Sequence, residues 1–594
     1  MFQTQSSNIL KLFCKRVEKE FGRPAYRFKE KGVWKKKTWG EYYEATAHFA
    51  SALKALGVKK GDRVALLSST RPEWALCDMA ILSLGAITVP IYPTLLKEDV
   101  MYIISNSGAE TVIVENKEQF NKLESNDHIK HVIALDGFHD SKISSFEDML
   151  SKGKKTPLDL KACAHDISLN DVATIVYTSG TTGKPKGAVI THKNLYSEIS
   201  DIQKNFPLSS EDVLLTFLPF SHILARIEHF CSVVIGWSLS YAESVDKIGD
   251  NMREIKPTLM FSVPRIYEKA YNKILSKVNS DSPLKQKIFK WAVGVGTQAS
   301  ELIEAKKSLP LVLKLQYDLA TKLVFSKVLQ NFGGRIRFLI SGGAPLSPEI
   351  ARFFHAVGLK IAEGYGLTET TAAISSNQID NYRFGTVGLP LGESQIRIAH
   401  EEGYPAGEGE ICVKSDKVFA GYYKNEEATK AVMKDGWFLT GDIGRIEEGG
   451  FLKITDRKKD IIVTSAGKNV APQNIENQIK TNRYISQVMV FGDKKNYLTA
   501  LITLNQDEIQ KFAKENTVAN SDWKSLVRNQ KVQDLVKAII QENNKTLASF
   551  ETIKKFHVLE NDFSIEAGEL TPTLKLKRKF CTQKYKNILE SLYN

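Results

Sequence analysis

The chain reads as an α/β protein. A large N-terminal domain of layered α/β subdomains, with a small β-rich subdomain at its end, precedes a smaller α+β C-terminal domain. Three observations carry that expectation. Short unbroken apolar runs alternate with longer helical patterns through the first three quarters of the sequence. Beyond about residue 385, glycine and proline become frequent and the apolar runs shorten. A dense charge cluster, Asp456-Arg-Lys-Lys-Asp460, then separates that stretch from the tail.

The runs at 64–67, 111–114, 131–135, 172–177, 213–218, 258–263 and 336–340 are continuous rather than alternating. Strands covered on both faces have that pattern. Amphipathic stretches lie between them, and Leu315, Leu319 and Leu323 mark one face of a helix expected near 314–331. Strands alternating with helices give layered α/β architecture with largely parallel sheets. Shorter strands at 410–414 and 451–454 belong to the β-rich subdomain. The tail carries strand candidates at 488–491 and 498–504, two helical stretches and a basic end. The charge cluster is the expected boundary, dividing the chain into 1–455 and 456–594.

At 594 residues the chain exceeds one ordinary core. With 42% apolar and 25% charged residues and no low-complexity tract, it has a globular composition. The 81 basic against 68 acidic residues leave a net charge of +13. That surplus suits nucleotides, acidic thioesters or an anionic membrane surface. The lysines are scattered rather than gathered into an arm, so nucleic acid is not an expected partner. The six cysteines form neither a zinc pattern nor a Cys-x-x-Cys pair and fit a reducing, cytoplasmic setting. The N-terminus lacks an apolar signal core. The most apolar stretch, 230–241, is twelve residues and too short to span a bilayer. The expected location is therefore cytoplasmic, with at most peripheral contact on the inner face of a membrane.

The loop 178–187, directly after the run at 172–177, packs three glycines, four hydroxyls and two lysines into ten residues. Gly180, Gly183 and Gly187 allow backbone N–H groups to turn toward a ligand. Thr178, Ser179, Thr181 and Thr182 add donors, and Lys184 and Lys186 add charge. A polyphosphate is the ligand such a loop fits. The spacing is not that of a Walker A loop: two residues separate Gly180 from Gly183, and Pro185 stands where Ser or Thr would bind magnesium.

YTSGTTGKPKGAVITHKN resembles the phosphate-loop signature of the adenylate-forming superfamily. Further motifs follow in that family's order: Leu218-Pro-Phe-Ser-His222, Ser341-Gly-Gly-Ala-Pro345, Glu363-Gly-Tyr-Gly-Leu-Thr-Glu-Thr370, Thr440-Gly-Asp442, the charge cluster at 456–460 and Thr571-Pro-Thr-Leu-Lys-Leu-Lys-Arg578. They cover roughly residues 20 to 590. The last motif and the long helical insert resemble the long-chain fatty acid–CoA ligase branch. The resemblance implies activation of a fatty acid by ATP with Mg²⁺, followed by transfer to coenzyme A, with a mobile C-terminal domain.

By that resemblance, Glu369 is the magnesium ligand and Tyr365 and Gly366 flank the adenine. Thr368 contacts phosphate, while Gly343, Ala344, Glu363 and Gly364 complete the nucleotide site. Asp442 accepts the ribose hydroxyls and Arg457 reaches the ribose. His222 faces the carboxylate–phosphate junction. Lys575 is aimed at the attacking carboxylate and the α-phosphate, where one ammonium offsets about 4 kcal/mol of anion repulsion per pair at about 4 Å. Lys577 and Lys579 alternate with Lys575, and a solvated basic stripe describes all three equally well until Thr571-Pro-Thr-Leu singles out the first. Lys459 is the family's hinge position, and Gly467 would let a pantetheine arm pass. An aromatic gate found in some relatives four residues after the histidine is not carried over, because Arg226 occupies that position. An amino-acid-activating relative should place an acidic side chain near His222, and 221–227 contains none. The alternatives are another carboxylate-activating adenylase (medium-chain, aryl-acid or luciferase-like), which shares the nucleotide motifs, and a membrane-docked fatty-acid uptake or binding component with vestigial catalysis, against which the intact Lys186, Glu369, Asp442 and Lys575 argue. Acyl chain length, tunnel residues and oligomeric state are not legible.

Overall fold

Runs of valine, isoleucine and leucine without a polar face need a covering layer on each side. The computed structural model describes residues 7–123, 128–138, 140–178, 184–400, 404–465, 468–518, 522–571 and 575–594. Among these, the strands build two large sheets and three small ones. The first large sheet runs Gly421–Tyr422, Lys186–Thr191, Val172–Thr178, Ile87–Ile91, Arg63–Leu67, Thr111–Val114, His131–Ala134, Ile143–Ser145. It is parallel from Val172–Thr178 onward, while Lys186–Thr191 pairs antiparallel on both sides. The second runs Leu389–Pro390, Ala372–Ser376, Ile361–Leu367, Phe338–Ser341, Leu259–Ser262, Val213–Thr216, Ser238–Tyr241, Pro24–Glu30, Val33–Thr38. It is parallel from Ile361–Leu367 through Pro24–Glu30.

The helices Pro72–Ser83 and Ile223–Ile235 are buried on nearly every side. They share one core with Val64, Leu66 and Val176 of the first sheet and Leu214, Phe261 and Ile340 of the second. An ion pair is sealed inside it. Arg226 and Asp78 are both fully buried; Arg226 Nε donates to Asp78 Oδ2 at 2.9 Å, and its guanidinium lies 5.6 Å from the Trp74 ring centroid. Arg226 therefore serves the core.

Three sequence expectations change on folding. The apolar stretch 230–241 is two elements, the end of helix Ile223–Ile235 and the strand Ser238–Tyr241, joined at Gly236 in the left-handed region at φ 95°. No helix among the described residues is long and apolar enough to cross a membrane. The helix expected near 314–331 is Leu311–Ala320, a π-helical turn Thr321–Phe325, then Ser326–Asn331. Its buried side chains are Leu313, Ala320, Phe325 and Val328, whereas Leu315, Leu319 and Leu323 are 62%, 48% and 45% exposed. Ile87–Ile91 was hidden by Pro90, which argues against an interior strand. Pro90 stays in register with Leu66 of Arg63–Leu67, and on the other side the register with Val172–Thr178 is Thr88 opposite Thr174.

Gln395–His400, Gly409–Lys414, Trp437–Ile446, Met433–Lys434 and Leu452–Arg457 form the antiparallel sheet of the β-rich subdomain. Its last strand runs two residues beyond 455 and ends in a turn at 458–460. The tail holds a three-stranded sheet of Ile485–Phe491, Leu498–Leu504 and Ile553–Val558. The third strand has no apolar run to announce it. The sheet is covered on both faces, as the two-residue period requires: Val488, Val490, Ala500 and Ile502 join one cluster, Met489 and Leu501 the other. The second cluster includes Leu570, Cys581 and Leu589, which anchors the C-terminal segment.

Asp78→Ala should destabilise the protein by roughly 3–5 kcal/mol, because it leaves a buried guanidinium unpaired. The double variant Asp78→Leu/Arg226→Met should lose less. Thermal unfolding of the two variants side by side checks this.

Candidate active site

A cavity of about 1970 Å³ opens where the two large sheets, the β-rich subdomain and the tail meet. Thr178, Lys184 and Lys186 line it, as do Gly343, Ala344, Glu363, Gly364, Tyr365, Gly366, Thr368 and Glu369. His222, Asp442, Arg457, Lys459 and Lys575 complete the sequence-predicted set. Ser179, Gly180, Thr181, Thr182, Gly183 and Gly467 lie outside the described residues.

Thr178 and Lys186 face each other at the ends of antiparallel strands, and the Thr178 hydroxyl donates to the Lys186 carbonyl at 3.4 Å. The loop between them therefore joins two strands, where a Walker A loop opens a helix. Gly187 has a different purpose from the one expected. It lies in a strand, and a Cβ there would stand 2.7 Å from Ile175 Cγ2 and 3.1 Å from Tyr177 Cζ, so its smallness serves packing. Lys184 Nζ sits 5.0 Å from the Tyr102 ring centroid, and Lys186 Nζ 5.0 Å from that of Tyr422. The Tyr422 hydroxyl donates to Glu369 Oε1 at 2.8 Å, connecting the lysine of one loop to the carboxylate of another. Tyr422 carries no motif and was invisible in the sequence.

Glu369 stands on a tight turn, Thr368–Thr370, between the antiparallel strands Ile361–Leu367 and Ala372–Ser376. The chain leaves that turn through Thr371 at φ 55° and Ala372 at φ 93°, conformations that L side chains resist. Such positions cost on the order of 1–3 kcal/mol each and survive only where surroundings hold them. Here the Thr371 hydroxyl donates to the Lys417 carbonyl at 2.7 Å, and the Thr370 hydroxyl donates to the Ala372 carbonyl at 3.0 Å. A Cβ on Gly366 would fall 1.4 Å from the Ala372 carbonyl oxygen, so only glycine permits this turn. Glu363 is buried and pushed up to about 8 by that burial; its Oε1 accepts from the Leu346 amide at 2.9 Å. It thereby steadies the turn holding Gly343, at φ 82°, and Ala344.

Asp442 and Arg457 are direct partners across the antiparallel strands Trp437–Ile446 and Leu452–Arg457. Arg457 Nε lies 3.1 Å from Asp442 Oδ1, and the Tyr365 hydroxyl donates to Oδ2 at 2.7 Å. Lys459 follows in the turn beyond the strand.

His222 caps helix Ile223–Ile235, its Nδ1 accepting from the Leu224 amide at 3.2 Å. That bond leaves the proton on Nε2, as a donor. Burial, and then the Lys575 charge, push His222 down to about 4, so it is neutral at ordinary pH. Lys575 sits on a hairpin closed by the Leu570–Leu576 bridge, with Thr571 N donating to its carbonyl at 2.8 Å. Arg578 secures that hairpin by donating to the Val490 carbonyl at 2.8 Å and to Glu476 Oε2 at 2.9 Å. Burial, then Arg457, push Lys575 down to about 8, while Asp442 and Glu369 pull the other way. Lys575 lines the cavity and Lys579 is exposed, which separates the alternating lysines.

Beside His222 the cavity continues along an apolar wall that includes Ile202, Phe206, Phe217, Phe261, Ile340 and Leu391. Ile202 follows Glu198 by four residues on the helix His192–Asn205, a one-face signal readable in the sequence once that helix is known, and Phe206 is the extended residue that ends it. Glu198 is buried 3.3 Å from Lys417 Nζ and is pushed up to about 7 by burial. At the opposite rim Arg265 lines the cavity and reaches the tail, donating to the Ser486 carbonyl at 3.1 Å and Oγ at 3.2 Å. Ser276 adds a second crossing contact, donating to Glu508 Oε1 at 3.0 Å.

A family model described as AMP-binding enzyme matches residues 13–423, and one described as AMP-binding enzyme C-terminal domain matches 459–594. The chain belongs to the AMP-binding enzyme family. Among curated members, the long-chain-fatty-acid–CoA ligase FadD15 of Mycobacterium bovis is 36% identical over 95% of this chain and 93% of that protein. The long-chain-fatty-acid–CoA ligase 5 of Rattus norvegicus is 32% identical over 89% of this chain and 80% of its own length. The crystal structure of the adenylation domain of a carboxylate reductase from Mycobacterium chelonae shares the fold. Its TM-score is 0.79 at 22% identity, with 100% of this chain and 92% of that one covered. In this AMP-binding enzyme, Gly366→Ala should lower the unfolding temperature by several degrees and weaken AMP binding at least about tenfold, since the strained turn under Glu369 must move. Calorimetric titration with AMP, alongside thermal unfolding, reads both effects.

Proposed function

We propose that this chain is a long-chain fatty acid–CoA ligase that forms acyl-AMP and pyrophosphate from ATP, then acyl-CoA and AMP. The observation that carries this reading is that Lys575 and His222, near enough for the charge of one to act on the other, line one cavity together with the polar loops and the apolar wall. The curated ligases above support the fatty-acid substrate over amino-acid or luciferase-like alternatives.

In the first half-reaction a fatty carboxylate oxygen attacks the α-phosphorus of ATP in line, and pyrophosphate leaves. Thr178, Lys184 and Lys186, with Ser179, Gly180, Thr181, Thr182 and Gly183, hold the β- and γ-phosphates, and Thr368 touches phosphate. Tyr365, Gly364 and Gly366 border the adenine, beside Gly343, Ala344 and Glu363. Asp442 and Arg457 hold the ribose. The Lys575 ammonium neutralises the approaching anions and the His222 Nε2–H donates at their junction. Among the described residues no group of three or more His, Cys, Asp or Glu is placed to hold a metal ion. A single carboxylate, Glu369, suits magnesium delivered on the nucleotide phosphates, where it supplies charge neutralisation.

In the second half-reaction the coenzyme A thiolate attacks the acyl carbonyl and AMP leaves. Lys575 lines the cavity in this arrangement, so the tail beyond the strand Leu452–Arg457 turns about Lys459 for the second step, with Gly467, outside the described residues, as the expected passage for pantetheine. The crossing contacts of Arg265 and Ser276 are few and polar, and water can replace them. Six free cysteines favour a reducing, cytoplasmic setting.

Lys575→Ala should abolish acyl-AMP formation while sparing thioester formation from preformed acyl-AMP; equal loss of both steps would remove the assignment. A lysine whose ordinary value is depressed loses its proton as pH rises through the lowered one. For acyl-AMP formation kcat/KM should therefore fall as pH climbs through about 8, with no limb from His222 between about 5 and 7. Pyrophosphate release across acids from acetate to stearate, with coenzyme A present, tests the substrate class.

A further inference from the structure

We propose that the outward face of the helical segment 311–325 is a docking surface for an anionic phospholipid bilayer. Five of the sixteen strongly exposed large apolar side chains among the described residues fall within thirteen positions of this segment. They are Leu311 at 74%, Val312 at 68%, Leu315 at 62%, Leu319 at 48% and Leu323 at 45% exposed. The other eleven are spread along the rest of the chain, as isolated surface apolar residues usually are.

The arrangement is a stripe. Leu311, Leu315, Leu319 and Leu323 recur every fourth residue and lie one above another on the helix, with Val312 alongside. The opposite side is already engaged: Leu313, Ala320, Phe325 and Val328 pack into the core beneath the second large sheet. The segment thus has two apolar faces, and folding uses only one. A helix needs a single such face to join a soluble domain, so the second has another use.

Charge identifies the occupant. Lys306, Lys307, Lys314, Lys322 and Lys327 are exposed in and around the segment, and Asp318 is the exposed acid within it. Leucines flanked by lysines describe a helix lying in the interfacial plane, apolar side chains among the acyl chains and ammonium groups at anionic headgroups. A protein partner of matching shape would need an acidic rim around an apolar groove; a bilayer containing anionic lipid offers both without any specific fold. The purpose of the contact rests on the fatty-acid reading above, since a long-chain acid partitions into bilayers and an enzyme seated there meets it where it is concentrated. The physical case rests on the surface alone.

The test is flotation of the full chain with phosphatidylcholine vesicles, with and without phosphatidylglycerol. The wild-type protein should float with the mixed vesicles and release on adding salt. Leu315→Gln/Leu319→Gln/Leu323→Gln should weaken partitioning about a hundredfold or more. Lys314→Gln/Lys322→Gln should weaken it about fivefold per charge, and only on vesicles containing phosphatidylglycerol. With octanoate, a soluble acid, acyl-CoA formation should match wild type in both variants, which verifies that they fold; palmitate presented in vesicles should be consumed more slowly. Vesicle binding by the triple variant equal to wild type overturns the proposal. So does a wild-type chain that ignores vesicles but sediments as a dimer disrupted by the leucine substitutions, because the stripe would then be an interface between copies. Vesicle binding with no acyl-CoA formed from any acid would leave the docking surface standing and remove the functional reading instead.

Discussion

The Asp442 carboxylate is the point on which the site depends. It is 4% exposed, and a carboxylate so placed survives only with donors or a cation at hand. Tyr365 comes from the second large sheet, Arg457 from the neighbouring strand of the β-rich subdomain, and Lys575 from the tail. Satisfying one buried charge therefore sets three pieces of chain against one another. The same arrangement keeps Asp442 on the lining of the cavity.

A second constraint acts through the backbone. The turn under Glu369 places two non-glycine residues in the left-handed region and brings the Ala372 carbonyl to where a side chain at 366 would be. Hydrogen bonds from Thr370 and Thr371 hold that turn against its strain. Its position then determines where Glu369 meets Tyr422, and through Tyr422 where it meets Lys186. The strand end bearing Lys186 and the turn bearing Glu369 are thus coupled through a tyrosine that belongs to no motif.

The two halves of the cavity differ in how they are made. The polar half is built from short ordered strings, because turns that expose backbone and charge demand particular residues at particular spacings. The apolar half is built from Ile202, Phe206, Phe217, Phe261, Ile340 and Leu391, which come from different elements and differ in no way from ordinary core residues. Hydrophobic burial is non-directional, so an apolar cavity wall leaves no local signature. The same holds for the outer leucine stripe: periodicity located a helix and its apolar side chains, and only the packing revealed which of two apolar faces the core had taken.

Much of the fold was legible from runs of apolar residues, since strands covered on both faces cannot be written otherwise. Strands that broke that rule were missed for physical reasons: Ile87–Ile91 contains a proline, and Ile553–Val558 is interrupted by the exposed Lys554 and Lys555. By itself the sequence determined the family and the layered α/β class and singled out polar residues that line the cavity, though not Tyr422, because those motifs are set by local backbone and charge requirements. Only the tertiary structure decided that Arg226 serves the core, that Gly187 serves strand packing, that Lys575 rather than Lys579 reaches the cavity, and that Arg265 bridges to the tail. Each of those depends on what lies across a contact between residues distant in the chain, and no reading along one dimension contains that.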